Sequence, residues 1–251
     1  MSHLLQSLQQ KRIGLALSGG AARGLAHIGV IKALEALGIR PTVVCGTSVG
    51  SLIGCAIAAG RHSTEIAEMA RSTFWPRLLN GRLLEQFCFD NFPETFANLK
   101  FPFAAIATAL PRNEMVALSA GDLSSAISAS CALRLLRRPV LREGLRLKDG
   151  GFSCVLPAVT CRELGAEFVI SSDVWEWSSA MRSLGQSPTT STRRLYPNHY
   201  RKALSYTNLH IHPEIPASGY LPNAAAVDRM ISAGERATYQ AFHAGFAKVA
   251  A

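Results

Sequence analysis

Ser48 stands in Gly46-Thr47-Ser48-Val49-Gly50, between an apolar run, Pro41 to Cys45, that reads as a strand and a small-residue run, Ser51 to Ala59, that reads as a helix. A serine on such a turn is lifted out of the sheet at the positive end of the following helix. Its flanking glycines are needed because a Cβ there would meet the packed strand or helix. The chemistry this suits is nucleophilic acyl transfer, which needs a base for the serine proton and donors for the oxyanion. Gly19-Gly20-Ala21-Ala22-Arg23-Gly24 follows another strand-like run and opens a helix, so its N–H groups can converge on an anion with no Cβ in the way at Gly19 or Gly20. The turn is not G-x-G-x-x-G, lacks the Lys-Ser/Thr ending of a phosphate loop, and has no acidic residue after the second strand to hold a ribose. An oxyanion hole is therefore favoured over a nucleotide loop.

The base is open on the residues alone. None of His3, His27, His62, His199, His210, His212 or His243 follows a strand end in the Ser, acid, His order with an evident acid partner, and His27, inside the first helix, reads as structural. Asp149 stands at a strand end before Gly150 and Gly151, where a loop can bring a carboxylate to the active edge of a sheet. The same three residues also suit a plain Asp-Gly turn.

The elements that must position these groups are short and alternate. Ile13 to Leu17 reads as a buried strand, Leu25 to Leu37 as a helix capped by Gly38, and Pro41 to Cys45 as a second strand. A helix follows to about Ala59, closed by Gly60. That order predicts parallel β-α-β units in one α/β domain spanning 1–251. Further along, Ser63 to Thr73 reads as helix, Phe103 to Thr108 and Met115 to Leu118 as strands, and Asp122 to Leu133 as a helix N-capped by Asp122. Val155 to Leu164 (helix), Glu167 to Ser171 and Leu209 to His212 (strands) and Asn223 to Phe246 (helix) complete the pattern. Trp175 to Thr207 is rich in Ser, Thr, Arg and Pro with little periodicity, and reads as a long functional loop or lid.

The chain has 251 residues, 48% of them hydrophobic, and a formal charge of +9. Arg134, Arg137, Arg138, Arg142, Arg146 and Lys148 against Glu143 supply +5 of that charge, which suits an anionic surface as well as a solvated loop. The cluster lacks interleaved aromatics and any nucleic-acid module, so no nucleic-acid partner is expected. Six scattered cysteines without a C-x-x-C pair read as buried reduced thiols. His210-x-His212 alternates on a strand-like stretch, and for it a surface or core role is favoured over zinc. With no apolar run of about 18 residues and no signal-peptide pattern, a soluble, cytoplasmic protein is expected.

Together, Gly19-Gly20-x-x-Arg23-Gly24, Gly46-x-Ser48-x-Gly50 and Asp149-Gly150-Gly151, in that order, resemble the patatin-like phospholipase family, particularly its bacterial members. The resemblance extends over roughly residues 13–60 and 103–174, with a weaker echo in the final helix. It implies a three-layer α/β/α sandwich around a mainly parallel sheet and a Ser-Asp dyad without histidine. Ser48 would be the nucleophile, carried on an elbow of Gly46, Thr47, Val49 and Gly50. Asp149 would be the base, with Gly150 and Gly151 completing its motif. Gly19, Gly20, Ala21, Ala22, Arg23 and Gly24 would form the oxyanion hole, with Arg23 positioning it. The implied reaction is hydrolysis of fatty acyl esters through an acyl-enzyme, with no metal or cofactor.

Three departures concern the surroundings. Where relatives resemble A-S-x-x-x-P-G-x-F-x-P-V, this chain runs from Ala129-Ser130 to Pro139-Val140 with Arg134, Leu135 and Arg137 replacing the proline, glycine and phenylalanine. Cys154-Val155 precede Leu156-Pro157 where an asparagine is usual, and Ala109 stands where relatives often carry Asp. The leading expectation is a lipid esterase at an anionic interface, peripheral to the inner membrane surface. The alternative is a regulatory or adaptor module that keeps the scaffold with little turnover.

Overall fold

The computed structural model describes residues 6, 8–133, 136–175, 198–215 and 222–249. Alternation along the strands decides the layers. In β1 (Ile13–Leu17), Ile13, Leu15 and Leu17 face one core while Ala16 faces another. The helix α1 (Ala26–Ala36) leads to β2 (Val43–Thr47), where Val44 joins the first core and Val43 and Cys45 the second. The bulky face is covered by α1, α2 (Val49–Ala58), α3 (Ser63–Ser72) and α4 (Gly81–Asn91). It continues onto β3 (Phe103–Leu110), whose Phe103, Ala105, Ala107 and Ala109 all point that way.

The rest of the sheet comprises β4 (Glu114–Leu118), then, after α5 (Leu123–Ser130), β5 (Val140–Arg142) and β6 (Leu145–Asp149). Next come α6 (Ala158–Glu163), β7 (Phe168–Ser172), α7 (Asn198–Ser205), β8 (Leu209–Ile211) and α8 (Ala224–Val249). On the small-residue face, Ala16, Cys45, Ala104 and Val169 let α6 and α7 pack closely, through Ala158, Cys161, Tyr200 and Ala203. A Cβ on Gly14 would lie 2.6 Å from that of Ala166, so this layer has no spare room. On the other face α1 and α8 touch backbone to backbone: a Cβ at Gly29 would fall 1.8 Å from the Ile231 carbonyl, and one at Gly234 1.9 Å from that of Ala26.

Hydrogen bonding runs β5-β6-β3-β2-β1-β7-β8, with β4 also on β3. The β1, β2, β3, β7 and β8 pairings are parallel, and those of β4, β5 and β6 antiparallel. β3 is the template for the site. With β4 along its other edge, it pairs with β2 as far as Thr47↔Ile106 and with β6 from Ala107↔Asp149 onward. The ends of β2 and β6 therefore meet on one edge, which brings residue 48 beside residue 149.

Several elements differ from the sequence expectation: α4 and β5 were not expected, and the helix expected from Val155 begins at Ala158. Residues 198–205 of the expected long loop form α7, because Tyr200 and Ala203 bury against the sheet; residues 176–197 lie outside the described residues. The helix after Asp122 ends at Ser130 rather than Leu133, and Asp122 caps it by accepting from the Ser125 N–H at 2.6 Å. All six cysteines are free thiols, and Cys45, Cys55, Cys88 and Cys161 are buried.

Candidate active site

Space compels the elbow. A Cβ on Gly46 would lie 2.1 Å from the Gly50 carbonyl oxygen, and one on Gly50 2.5 Å from that of Leu17. Neither position can carry a side chain while α2 leaves β2 so abruptly. Ser48 takes φ 54° and ψ −126°, a conformation that costs an L-residue about 1–3 kcal/mol and is held by its surroundings. Its N–H donates to Ser130 Oγ at 2.9 Å, and its carbonyl accepts from Ser51 Oγ at 2.6 Å and the Ser51 N–H at 2.7 Å.

Ser48 Oγ donates to Asp149 Oδ2 at 2.7 Å. The other carboxylate oxygen accepts from the Gly151 N–H at 2.8 Å, so both oxygens are engaged and the carboxylate is aimed. The Asp149 backbone is fixed on both sides, its N–H donating to the Ala132 carbonyl and its own carbonyl accepting from Thr108 Oγ1. A Cβ at Gly150 would meet the Ile106 carbonyl at 2.2 Å, which is why glycine follows the aspartate. Burial pushes the Asp149 carboxyl up to about 6, against the opposing pull of the Ser48 hydroxyl, the Gly151 N–H and the Arg137 charge. At neutral pH it is a carboxylate with enough proton affinity to serve as a base.

The glycine turn lies against the serine. An ordinary Cβ at Gly19 would sit 3.5 Å from that of Ser48, in normal contact. Gly19 itself donates to the Val155 carbonyl at 3.0 Å, and Thr47 Oγ1 donates to that of Cys154 at 2.9 Å. Both carbonyls belong to the stretch where the usual asparagine is absent. The contacts are backbone ones, so the side chains there are immaterial to them. Residues 21–25 then form a 3-10 helix whose first N–H groups have no intrahelical acceptor.

Several supporting residues were not singled out by sequence. Ser130, the last residue of α5, holds the Ser48 N–H, and the signal for it was its place in the Ala129-Ser130 pair that matches the family's A-S. His27, read as structural, is fully buried and ties the turn to β7: its Nε2 lies 3.0 Å from the Ser18 carbonyl and its Nδ1 2.7 Å from Ser172 Oγ. A carbonyl can only accept, so Nε2 carries the proton and Nδ1 accepts from the serine. Burial lowers this imidazole to about 4.

The basic cluster is not one exposed strip, which corrects the sequence expectation. Arg137 turns inward onto the end of α5, donating to the Ser128 and Cys131 carbonyls and to Ser128 Oγ. Arg142 is drawn onto the Asp122 and Ala120 carbonyls and Ser125 Oγ, and Lys148 is buried with Nζ donating to the Arg137 carbonyl. The free carbonyls at helix and strand ends outcompete water for these donors. Arg138 and Arg146 remain exposed, and Arg134 lies outside the described residues. Exposed Leu136, Leu141 and Leu145 stand beside them.

Two spaces flank the elements that carry the dyad. A groove of about 330 Å³ is lined by Leu110, Pro111, Asn113, Arg146, Lys148 and Phe152, but includes neither Ser48 nor Asp149. A nearly closed apolar cleft of about 10 Å³ lies among α2, α3 and α4, with Leu52, Ile53, Met69 and Phe87 in its walls. Leu52 is one turn beyond Ser48.

A family model described as patatin-like phospholipase matches residues 15–161, more than half of the chain. Among curated proteins, the chain is 35% identical over 192 residues to the patatin-like phospholipase domain-containing protein ZK370.4 of Caenorhabditis elegans, covering 69% of this chain and 14% of that one. It is 32% identical over 195 residues to human patatin-like phospholipase domain-containing protein 6, again over 69% and 14%. With an uncharacterized NTE family protein of Mycobacterium bovis the match is 33% over 174 residues, or 64% and 48%. The chain thus spans about a seventh of the first two relatives. In fold it is similar to VipD from Legionella pneumophila, with a TM-score of 0.65 at 14% identity over 94% of this chain and 67% of that one. Human GIVD cytosolic phospholipase A2 gives 0.53 at 12% identity, over 95% and 61%.

Proposed function

The chain belongs to the patatin-like phospholipase family, and from that premise we propose that it is a serine esterase hydrolysing fatty acyl esters, phospholipids or lysophospholipids among them, with Ser48 as nucleophile and Asp149 as base. The 2.7 Å contact from Ser48 Oγ to Asp149 Oδ2 carries the reading. Ser48 Oγ attacks the ester carbonyl carbon as its proton passes to Asp149. The oxyanion is received by N–H groups at the head of the 3-10 helix, Gly20 to Ala22, since that of Gly19 is spent on Val155. Collapse breaks the acyl–oxygen bond, and Asp149 returns the proton to the leaving alcohol. A water, deprotonated by Asp149, then attacks the acyl-Ser48 carbonyl; the bond to Ser48 Oγ breaks as Asp149 returns the proton to that oxygen, freeing the fatty acid.

A fatty acyl group as the acyl half of the substrate is supported by the family; the cleft beside α2 is apolar, but at about 10 Å³ its walls would have to part to admit a chain. Exposed Leu136, Leu141 and Leu145 next to Arg138 and Arg146 support peripheral contact with an anionic lipid surface. No helix among the described residues is long and apolar enough to cross a membrane.

The test is labelling by a fluorophosphonate probe together with turnover of a lipid ester panel. Wild type should label and hydrolyse, whereas Ser48→Ala should do neither while keeping its circular dichroism. Hydrolysis by Ser48→Ala at the wild-type rate, or a wild type that neither labels nor turns over, would reject the esterase and favour the scaffold-only module.

A further inference from the structure

His210 and His212 alternate along β8 and its exit, so their side chains leave the same face of the sheet. The acid closest to them in sequence, Glu214, stands two residues past His212 and is not part of the cluster. Parallel pairing of β7 and β8 brings in Asp173: its N–H donates to the Ile211 carbonyl at 2.9 Å, which continues the ladder and sets Asp173 beside the two histidines. One ligand atom from each of the three residues lies within 4.8 Å of the others. We infer that Asp173, His210 and His212 form a binding site for a divalent transition metal ion of the zinc class.

One distance within the cluster matches the geometry of a bound ion. His210 Nε2 is 3.4 Å from Asp173 Oδ2, long for a charge-assisted hydrogen bond. It matches the edge of a tetrahedron whose ligands stand about 2.0–2.1 Å from zinc, roughly 3.3–3.4 Å. The imidazole rings of His210 and His212 are 6.1 Å apart between centroids and tilted by 34°, so neither blocks the other. The two histidines are exposed and can turn toward a shared ion, while the carboxylate is fully buried.

The carboxylate is also held as a ligand should be. Oδ1 accepts from the Trp175 N–H at 3.0 Å, and Oδ2 accepts from the Tyr200 hydroxyl. Such outer hydrogen bonds fix the orientation of ligating carboxylates. Two imidazoles and one carboxylate form a three-ligand set that leaves a further position for water, and imidazole favours zinc, nickel, copper or iron over magnesium or calcium.

The site adjoins the candidate active site. Asp173 directly precedes Val174, whose N–H accepts no role in the ladder but donates to Ser18 Oγ at 2.8 Å. A Cβ on Gly20 would meet Val174 Cγ2 at 2.6 Å. An ion at Asp173 would therefore brace the residue that backs the glycine turn.

Zinc chloride titrated calorimetrically into the full chain, freed of metal by a chelator, tests the site. One equivalent should bind with micromolar or tighter affinity. His210→Ala and His212→Ala should each weaken it by more than the ten- to hundredfold typical for loss of an outer partner, and the exposed His243→Ala should leave it unchanged. Cobalt in place of zinc should show ligand-field absorption without a thiolate charge-transfer band, separating this site from the cysteines. Absence of saturable binding below about 100 µM, unchanged affinity in both histidine variants, or thiolate absorption would each overturn the inference, and none of these outcomes bears on Ser48 reactivity.

Discussion

Asp149→Asn should make the protein more stable at pH 8 while removing its activity. The ionised carboxyl is buried, and its proton affinity rises from the ordinary 3.8 to about 6 in the folded chain. A carboxyl raised in this way binds more protons folded than unfolded. The folded state is therefore penalised as pH rises from 3.8 toward 6, and the full penalty persists above that. At about 1.4 kcal/mol for each tenfold change in proton affinity, the penalty at pH 8 is about 3 kcal/mol. At pH 4 most of it is gone, because the folded carboxyl is then protonated. Asparagine is uncharged at both pH values, can still accept from the Gly151 N–H, and can donate to Ser48 Oγ. Urea unfolding of both proteins at pH 8 and pH 4 reads the difference, which should correspond to about 6–12 °C in Tm at the higher pH. Acid titration of His27 affects both proteins alike and cancels. Hydrolysis should fall by about 10²–10⁴ through loss of the base. An Asn variant no more stable than wild type at pH 8, or an advantage equally large at pH 4, would refute the assignment of a buried charge held ready for proton transfer.

The acid limb of the pH–rate profile should fall near pH 6, where Asp149 protonates, and Arg137→Ala should move it to higher pH by removing a nearby positive charge. A limb indifferent to Arg137 would place that guanidinium outside the electrostatics of the site. Gly50→Ala should destabilise by about 1–3 kcal/mol or more, since its Cβ would lie 2.5 Å from a backbone oxygen, whereas Gly19→Ala, with 3.5 Å to its nearest neighbour, should fold within about 1 kcal/mol of wild type; thermal melts compare them. His27, which when buried binds its proton only near 4, should by itself cost about 3 kcal/mol as pH falls from 6.5 to 4; relief of the Asp149 penalty offsets this in wild type, so denaturant titrations of Asp149→Asn should show the loss and adding His27→Gln should flatten it. Sedimentation with anionic vesicles should weaken with added salt and with Arg138→Glu plus Arg146→Glu, and equal binding to neutral vesicles would remove the electrostatic part of the surface reading.

Local patterning carried much of this protein in its sequence. A five-residue apolar run ended by small residues and glycine favours a buried strand entering a tight turn, so β1, β2 to within two residues, the elbow around Ser48 and the glycine turn were legible from composition and spacing. The glycines at 46, 50 and 150 were readable as constraints because backbone crowding acts within a few residues of the turn or on the strand just crossed. Pairings across long separations were not legible. The meeting of Ser48 with Asp149 depends on β2 and β6 sharing one edge of β3, a matter of register that neither segment encodes by itself. Arg137, Arg142 and Lys148 looked like a solvated basic strip because sequence shows charge but not the unpaired carbonyls at the end of α5 that draw those donors inward. His210 and His212 lacked a third partner until parallel pairing carried Asp173 beside them. The kinds of chemistry available were thus set by residue types and turns, while which groups act together was decided by strand register, since a hydrogen bond or a ligand set requires ångström proximity that only the packed sheet provides.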